Sequence, residues 1–129
     1  MKYLTTEHVL TIHAQIMQTT VGEAGVRDVG LIESAVARPR ATFGGEELYH
    51  GVFTKAGALM HSLLRNHPFV DGNKRTATVA AGIFPEYNGW QLTATNAELE
   101  AFVLHAVEAR LDAAEIEMWL EGHAEPAVG

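Results

Sequence analysis

The chain has no cysteine, which excludes disulfides and thiolate chemistry and leaves nothing that points to an oxidising compartment. No apolar run approaches the roughly 20 residues that cross a bilayer. The opening MKYLTTEHVL lacks the apolar stretch of a secretory signal, so a cytoplasmic protein without membrane contact is the expectation. Positive charge is scarce: 9 Lys and Arg against 16 Asp and Glu give a formal net charge of −7. That balance argues against direct nucleic-acid binding, which needs a basic face, but leaves room for a local basic spot that holds one nucleotide. Repeats, low-complexity tracts and linkers are absent as well. Apolar material is not: 47% of the 129 residues are hydrophobic, enough for one domain that buries roughly two thirds of its unfolded surface.

The pattern predicts an almost wholly helical chain. Thr5 or Thr6 caps a first helix carrying Val9, Ile12, His13 and Ile16 at helical spacing. VGEAGVRDVG (21–30) reads as a loop, with Asp28 capping a second helix that Pro39 ends. PRATFGGEELYHG (39–51) is irregular around Gly44-Gly45. A third helix carries Ala56, Leu59, Met60, Leu63 and Leu64 and stops before Pro68. A fourth starts near Asn73, is apolar nearly all round, and is expected to be the central buried helix. Pro85 lies inside it and should kink it or end it early. WQLTAT is a short extended piece, Thr95/Glu98 and Asp112/Glu115 form capping boxes for two last helices, and 123–129 is expected to be a disordered tail after a domain spanning 1–122.

Polar chemistry gathers in HPFVDGNKR (67–75), a tight loop between the third and fourth helices. The free N–H groups at the start of a helix, together with its dipole, form an anion site. Lys74 and Arg75 oppose that dipole, so a bound anion explains them better than helix stability does. Arg75 suits bidentate contact with a phosphate, and Lys74 acts as a point charge. Asp71 is a hard oxygen ligand of the type that Mg²⁺ takes alongside phosphate oxygens. His67 is placed to accept a proton from an incoming hydroxyl. Phe69 is the apolar pin of the loop. His13 and His61 fall on mostly apolar faces and read as buried, hydrogen-bonded histidines. A transition-metal site built from His61, His67 and Asp71 is disfavoured by the spacing across Pro68.

These residues resemble the core motif of the Fic/Doc superfamily, His-x-Phe-x-(Asp/Glu)-Gly-Asn-(Gly/Lys)-Arg, matched at every defining position from His67 to Arg75. RDVGLIESAVARPRATFGGEELY, HSLLRNHPFVDGNKRTA and YNGW look like its death-on-curing (Doc) branch over about the first 95 residues. The resemblance implies an all-α, single-domain Fic-type helical bundle, with ATP and Mg²⁺ as cofactors. It assigns His67 as general base, Asp71 as metal ligand, and Gly72, Asn73, Lys74 and Arg75 as phosphate binders. Arg65 and Asn66 stand as site support, and Phe43, Gly44 and Gly45 as the place where a target protein docks.

Adenylylating relatives usually carry glycine at the position of Lys74 and a second arginine at that of Thr78. Both departures favour the Doc branch, whose members phosphorylate a threonine of elongation factor Tu and so stop translation. The self-inhibitory pattern (Ser/Thr)-x-x-x-Glu-(Gly/Asn) is missing, since Glu117 stands four residues before Glu121-Gly122. A separate Phd-like antitoxin is therefore implied. Adenylyl transfer by the same residues, or a non-catalytic binding module, are the alternatives.

Overall fold

A computed structural model describes residues 1–128. Six helices run α1 Thr6–Met17, α2 Val29–Ala37, α3 Val52–Asn66, α4 Asn73–Tyr87, α5 Asn96–Glu108 and α6 Ala113–Gly122. Two small antiparallel pairs join them: β1 Thr42–Phe43 with β2 Glu46–Glu47, and β3 Trp90–Leu92 with β4 Ala124–Pro126. The all-helical expectation holds, with strands confined to these short pieces.

Four helix starts are fixed by side chains. The Thr5 hydroxyl accepts from the His8 N–H at 3.1 Å, while His8 Nδ1 accepts from the Thr5 N–H at 3.1 Å, so histidine completes a capping box usually closed by Glu or Gln. Asp28 Oδ1 accepts from the Gly30 N–H at 2.9 Å to start α2. Thr95 with Glu98, and Asp112 with Glu115, form the two expected boxes at α5 and α6. Beyond α2, one 3₁₀ turn over Arg38–Arg40 leads into the β1–β2 hairpin. Its tip, Gly44-Gly45, has φ of 60° and 83°, the positive pair that a two-residue hairpin turn demands.

The most buried helix is α3, not the α4 expected from apolar content. Ten α3 residues are buried against six in α4. Packing explains the exchange. α3 lies against α2, α4 and α6, and its small residues admit close neighbours: a Cβ on Gly57 would stand 2.7 Å from the Ala113 carbonyl oxygen. One side of α4 stays open, where Lys74, Arg75 and Val79 are exposed. Helix α4 also continues through Pro85 to Tyr87 rather than ending early. The proline sits in the last turn, where only one backbone bond is lost. The Asn88 amide donates to the Phe84 carbonyl at 2.9 Å and so closes that end.

The expected tail behaves differently over most of its length. Residues 124–126 pair with 90–92, and two flanking bonds extend the pairing, Thr93 N–H to the His123 carbonyl at 2.7 Å and Ala127 N–H to the Gly89 carbonyl at 2.9 Å. The strand reading of WQLTAT is thus met, with a partner that local sequence did not disclose. Gly129 lies outside the described residues.

Candidate active site

The loop between α3 and α4 is held by contacts from every side. α3 ends with His67 in the left-handed region, φ 46° and ψ 63°, a conformation that costs a non-glycine residue about 1–2 kcal/mol. Arg27 offsets that cost: its Nε donates to the His67 carbonyl at 2.7 Å, and its Nη2 donates to the Asn66 carbonyl. The Pro68 carbonyl accepts from the N–H groups of Arg27 and Asp28 at 2.8 and 3.0 Å, and Val70 N–H donates to the Gly25 carbonyl at 2.9 Å. A strand-like clasp thus forms between segments some forty residues apart.

Inside the loop, Phe69 is 2% exposed and stacks on the His13 ring, centroids 3.7 Å apart and planes 6° from parallel. His13 Nε2 donates to the Asp71 carbonyl at 2.8 Å. Both histidine expectations, burial and a satisfied ring, hold for His13, which supports the loop from beneath. Gly72 has φ 84°, a conformation that calls for glycine, and a Cβ there would also press on the Met17 side chain, 2.9 Å from its Sδ.

The Asn73 side chain is engaged within the loop. Its Oδ1 accepts from the Phe69 N–H at 3.0 Å and its Nδ2 donates to the Phe69 carbonyl at 2.9 Å. The side chain is a clasp that closes the loop on itself, and what Asn73 offers an anion is its backbone N–H. Helix α4 starts at Gly72 with no side-chain cap, unlike α1, α2, α5 and α6. Its first-turn N–H groups therefore gather beside two cations.

Those cations, Lys74 and Arg75, are exposed. Arg75 Nη1 donates to the Thr20 hydroxyl at 2.7 Å, which orients the guanidinium. Thr78 turns its hydroxyl back to the Lys74 carbonyl at 2.7 Å and adds no charge. Asp71 is exposed, with Oδ2 accepting from the Glu23 N–H at 2.8 Å. Glycines at 22 and 25 let that neighbouring loop come so near: Cβ atoms there would stand 3.0 Å from Asp71 Oδ2 and 3.1 Å from Val70 Cγ2.

A family model described as the Fic/DOC family matches residues 3–84, α1 to α4 with the loop between. The chain belongs to the Fic/DOC family. It is 50% identical over 93 residues to Toxin Doc of Mycolicibacterium smegmatis, covering 72% of this chain and 69% of that protein. It is 29% identical over 92 residues to a phage protein, Protein kinase doc of Escherichia phage P1, covering 71% and 72% of the two chains.

In this Fic/DOC chain His67, Asp71 and Gly72 lie on the loop and Asn73, Lys74 and Arg75 in the first turn of α4; Lys74 and Arg75 line a hollow with Thr78 and Glu100 that is separate from the cleft lined by His67. Asn66 takes part through its carbonyl. Arg65 borders, with His61, His67 and Arg110, a cleft of about 330 Å³ between the end of α3 and α5–α6. Phe43, 80% exposed, and Gly44-Gly45 stand on the hairpin and do not line that cleft. Arg27, the backbone of Gly25 and Glu23, and the loop-supporting role of His13 are not visible in the sequence, because their contribution lies in reaching a distant loop. The closely spaced glycines of VGEAGVRDVG were the available signal.

Proposed function

We propose that the protein is a Doc-type toxin that transfers the γ-phosphate of ATP, with Mg²⁺, to a threonine hydroxyl of a translation factor, elongation factor Tu being the candidate. The observation that carries this reading is the uncapped N-terminus of α4, with Lys74 and Arg75 in its first turn and Asp71 and His67 on the loop before it. The names of the two relatives, a toxin and a protein kinase, support it.

The residues present suit ATP and Mg²⁺. Among the described residues no cluster of three His, Cys, Asp or Glu side chains forms, and Asp71 is the carboxylate that the loop presents. Asp71 would hold a magnesium ion whose other oxygens would come from phosphate and water, the usual arrangement for nucleotide-bound Mg²⁺. When bound, the ion would neutralise phosphate charge. The N–H groups of Asn73, Lys74 and Arg75 orient a terminal phosphate, and the two side chains stabilise charge on its oxygens. The His67 imidazole accepts the hydroxyl proton as the threonine oxygen attacks the γ-phosphorus, and the bond to the β-phosphate oxygen breaks with ADP as the leaving group. Positioning and electrostatics supply most of the rate.

Adenylyl transfer is the second reading. Against it stand the Lys74 side chain on the first turn and the Thr78 hydroxyl directed at the helix backbone, where a second cation would be needed. A toxin of this kind requires restraint, and a Phd-like antitoxin is the proposed partner.

Incubating the protein with elongation factor Tu and ATP labelled at the γ or α phosphate tests the reading, with His67→Ala as control. Label from γ alone supports the kinase. Label from α overturns it in favour of adenylylation, and no transfer to elongation factor Tu or to lysate proteins favours a binding module.

A further inference from the structure

His61 is a half-buried polar residue on apolar α3, and the phosphotransfer scheme above makes no use of it. It borders the cleft that also holds His67, Arg65 and Arg110. Its other neighbour is Arg38, in the 3₁₀ turn. Arg38 Nε donates to the Tyr49 hydroxyl at 2.8 Å, and Nη1 reaches His61 Nδ1 at 2.8 Å, Ser62 Oγ at 3.0 Å and the Ala58 carbonyl at 3.3 Å.

A guanidinium only donates. His61 Nδ1 must therefore accept, and a neutral ring in this geometry carries its proton on Nε2. Burial, then the charges of Arg38 and Arg65, push the His61 pKa below its ordinary value, with Asp112 opposing them weakly. Protonating the ring would also turn the 2.8 Å contact into two donors facing each other. The network thus sets both the charge and the tautomer of an imidazole that lines the same cleft as His67.

We infer that His61 is a nucleotide-orienting residue: a neutral imidazole, locked by Arg38, whose Nε2–H donates to a phosphate oxygen of the nucleotide held in the His67 cleft. This rests on the phosphotransfer reading. Arg65 and Arg110 supply charge around the same cleft, and His61 supplies a directed donor that needs no counter-ion. The tie from Arg38 to Tyr49, two residues beyond β2, holds the donor in register with the base of the hairpin.

Two measurements test the inference. In the ¹⁵N-labelled full chain at neutral pH, imidazole ¹H–¹⁵N correlation is expected to show His61 as the Nε2–H tautomer. Its Nε2 resonance should move when a magnesium–imidotriphosphate analogue of ATP is added. A ring protonated at Nδ1, or an Nε2 signal indifferent to the analogue, overturns the inference. In the transfer assay, His61→Phe should raise KM for ATP about tenfold with kcat little changed, and His61→Gln, which keeps a donor near Nε2, should recover most of that loss. An unaltered KM in His61→Phe, or equal losses in both variants with a matching fall in melting temperature, refutes it. Absence of γ-label transfer by the unaltered protein would instead remove the phosphotransfer reading, while the tautomer and the analogue-induced shift would still report on His61.

Discussion

At the scale of single residues, the site depends on groups that never touch a reacting atom. His67 occupies a left-handed conformation because Arg27 holds the two carbonyls at the end of α3. Removing that guanidinium lets the α3 terminus relax, and the imidazole moves with it. Arg27→Met is expected to slow the proposed phosphoryl transfer by about tenfold or more while lowering stability by only about 1 kcal/mol, since the side chain is exposed. Initial rates and melting temperatures of the same preparations check this; equal activity would show that the backbone clasp of residues 25–28 suffices. The motif letters themselves were legible in HPFVDGNKR, where residue types match the chemistry of a phosphate site. The role of Asn73 was not. An amide in that position suits a phosphate as well as a backbone clasp, and only the closeness of Phe69 selects the clasp.

At the scale of elements, periodicity and caps read well and packing partners did not. Thr5, Asp28, Thr95 and Asp112 mark helix starts through bonds to residues two or three positions away, which sequence displays directly. The central helix was misjudged because apolar content reports what a helix tolerates, while burial depends on what surrounds it. Gly57 makes the point. In an isolated helix, Gly57→Ala would favour helix formation by about 1 kcal/mol. Here the new methyl would meet the Ala113 carbonyl and the Glu117 N–H, 2.7 and 3.0 Å from the Cβ position, both of them backbone. The substitution should destabilise the protein by about 1–3 kcal/mol, read as a lower denaturant midpoint. A raised midpoint would mean that α6 moves away freely. The last segment offers a second check. Deleting residues 124–129 removes the partner of β3, where Trp90 packs edge-on against Phe53 with centroids 5.1 Å apart. The truncated chain should melt several degrees lower, since a loss of 1 kcal/mol shifts a domain of this size by about 3–6 °C. An unchanged melting temperature would show the pairing to be dispensable.

At the scale of the whole molecule, an acidic chain with a net charge of −7 keeps positive charge where the proposed chemistry needs it. Lys74 and Arg75 open α4, and Arg65 and Arg110 border the neighbouring cleft. Among the described residues no helix is long and apolar enough to cross a membrane. Burial of His61, reinforced by the charges of Arg38 and Arg65, makes stability depend on pH, because its folded pKa lies below the ordinary value of 6.5. Below that value the unfolded chain binds a proton that the folded chain resists, so the His61 contribution is complete above about pH 6.5 and is lost as pH falls toward the folded pKa. Denaturation midpoints at pH 7.5 and pH 5.5 should therefore differ more in the unaltered protein than in His61→Gln. An equal difference in both would assign the dependence to other groups.

The sequence alone determined the helix count, five of the six helix starts and the family motif on the loop before α4. Each rests on neighbours within one or two turns of chain, where spacing dictates geometry. Tertiary structure decided which helix lies at the centre, that residues 124–126 form a strand, and that Arg27, His13 and Gly25 hold the loop from some forty residues or more away. Those outcomes depend on which surfaces come close enough to exclude a methyl group or share a proton, and such distances are set only when the whole chain has packed.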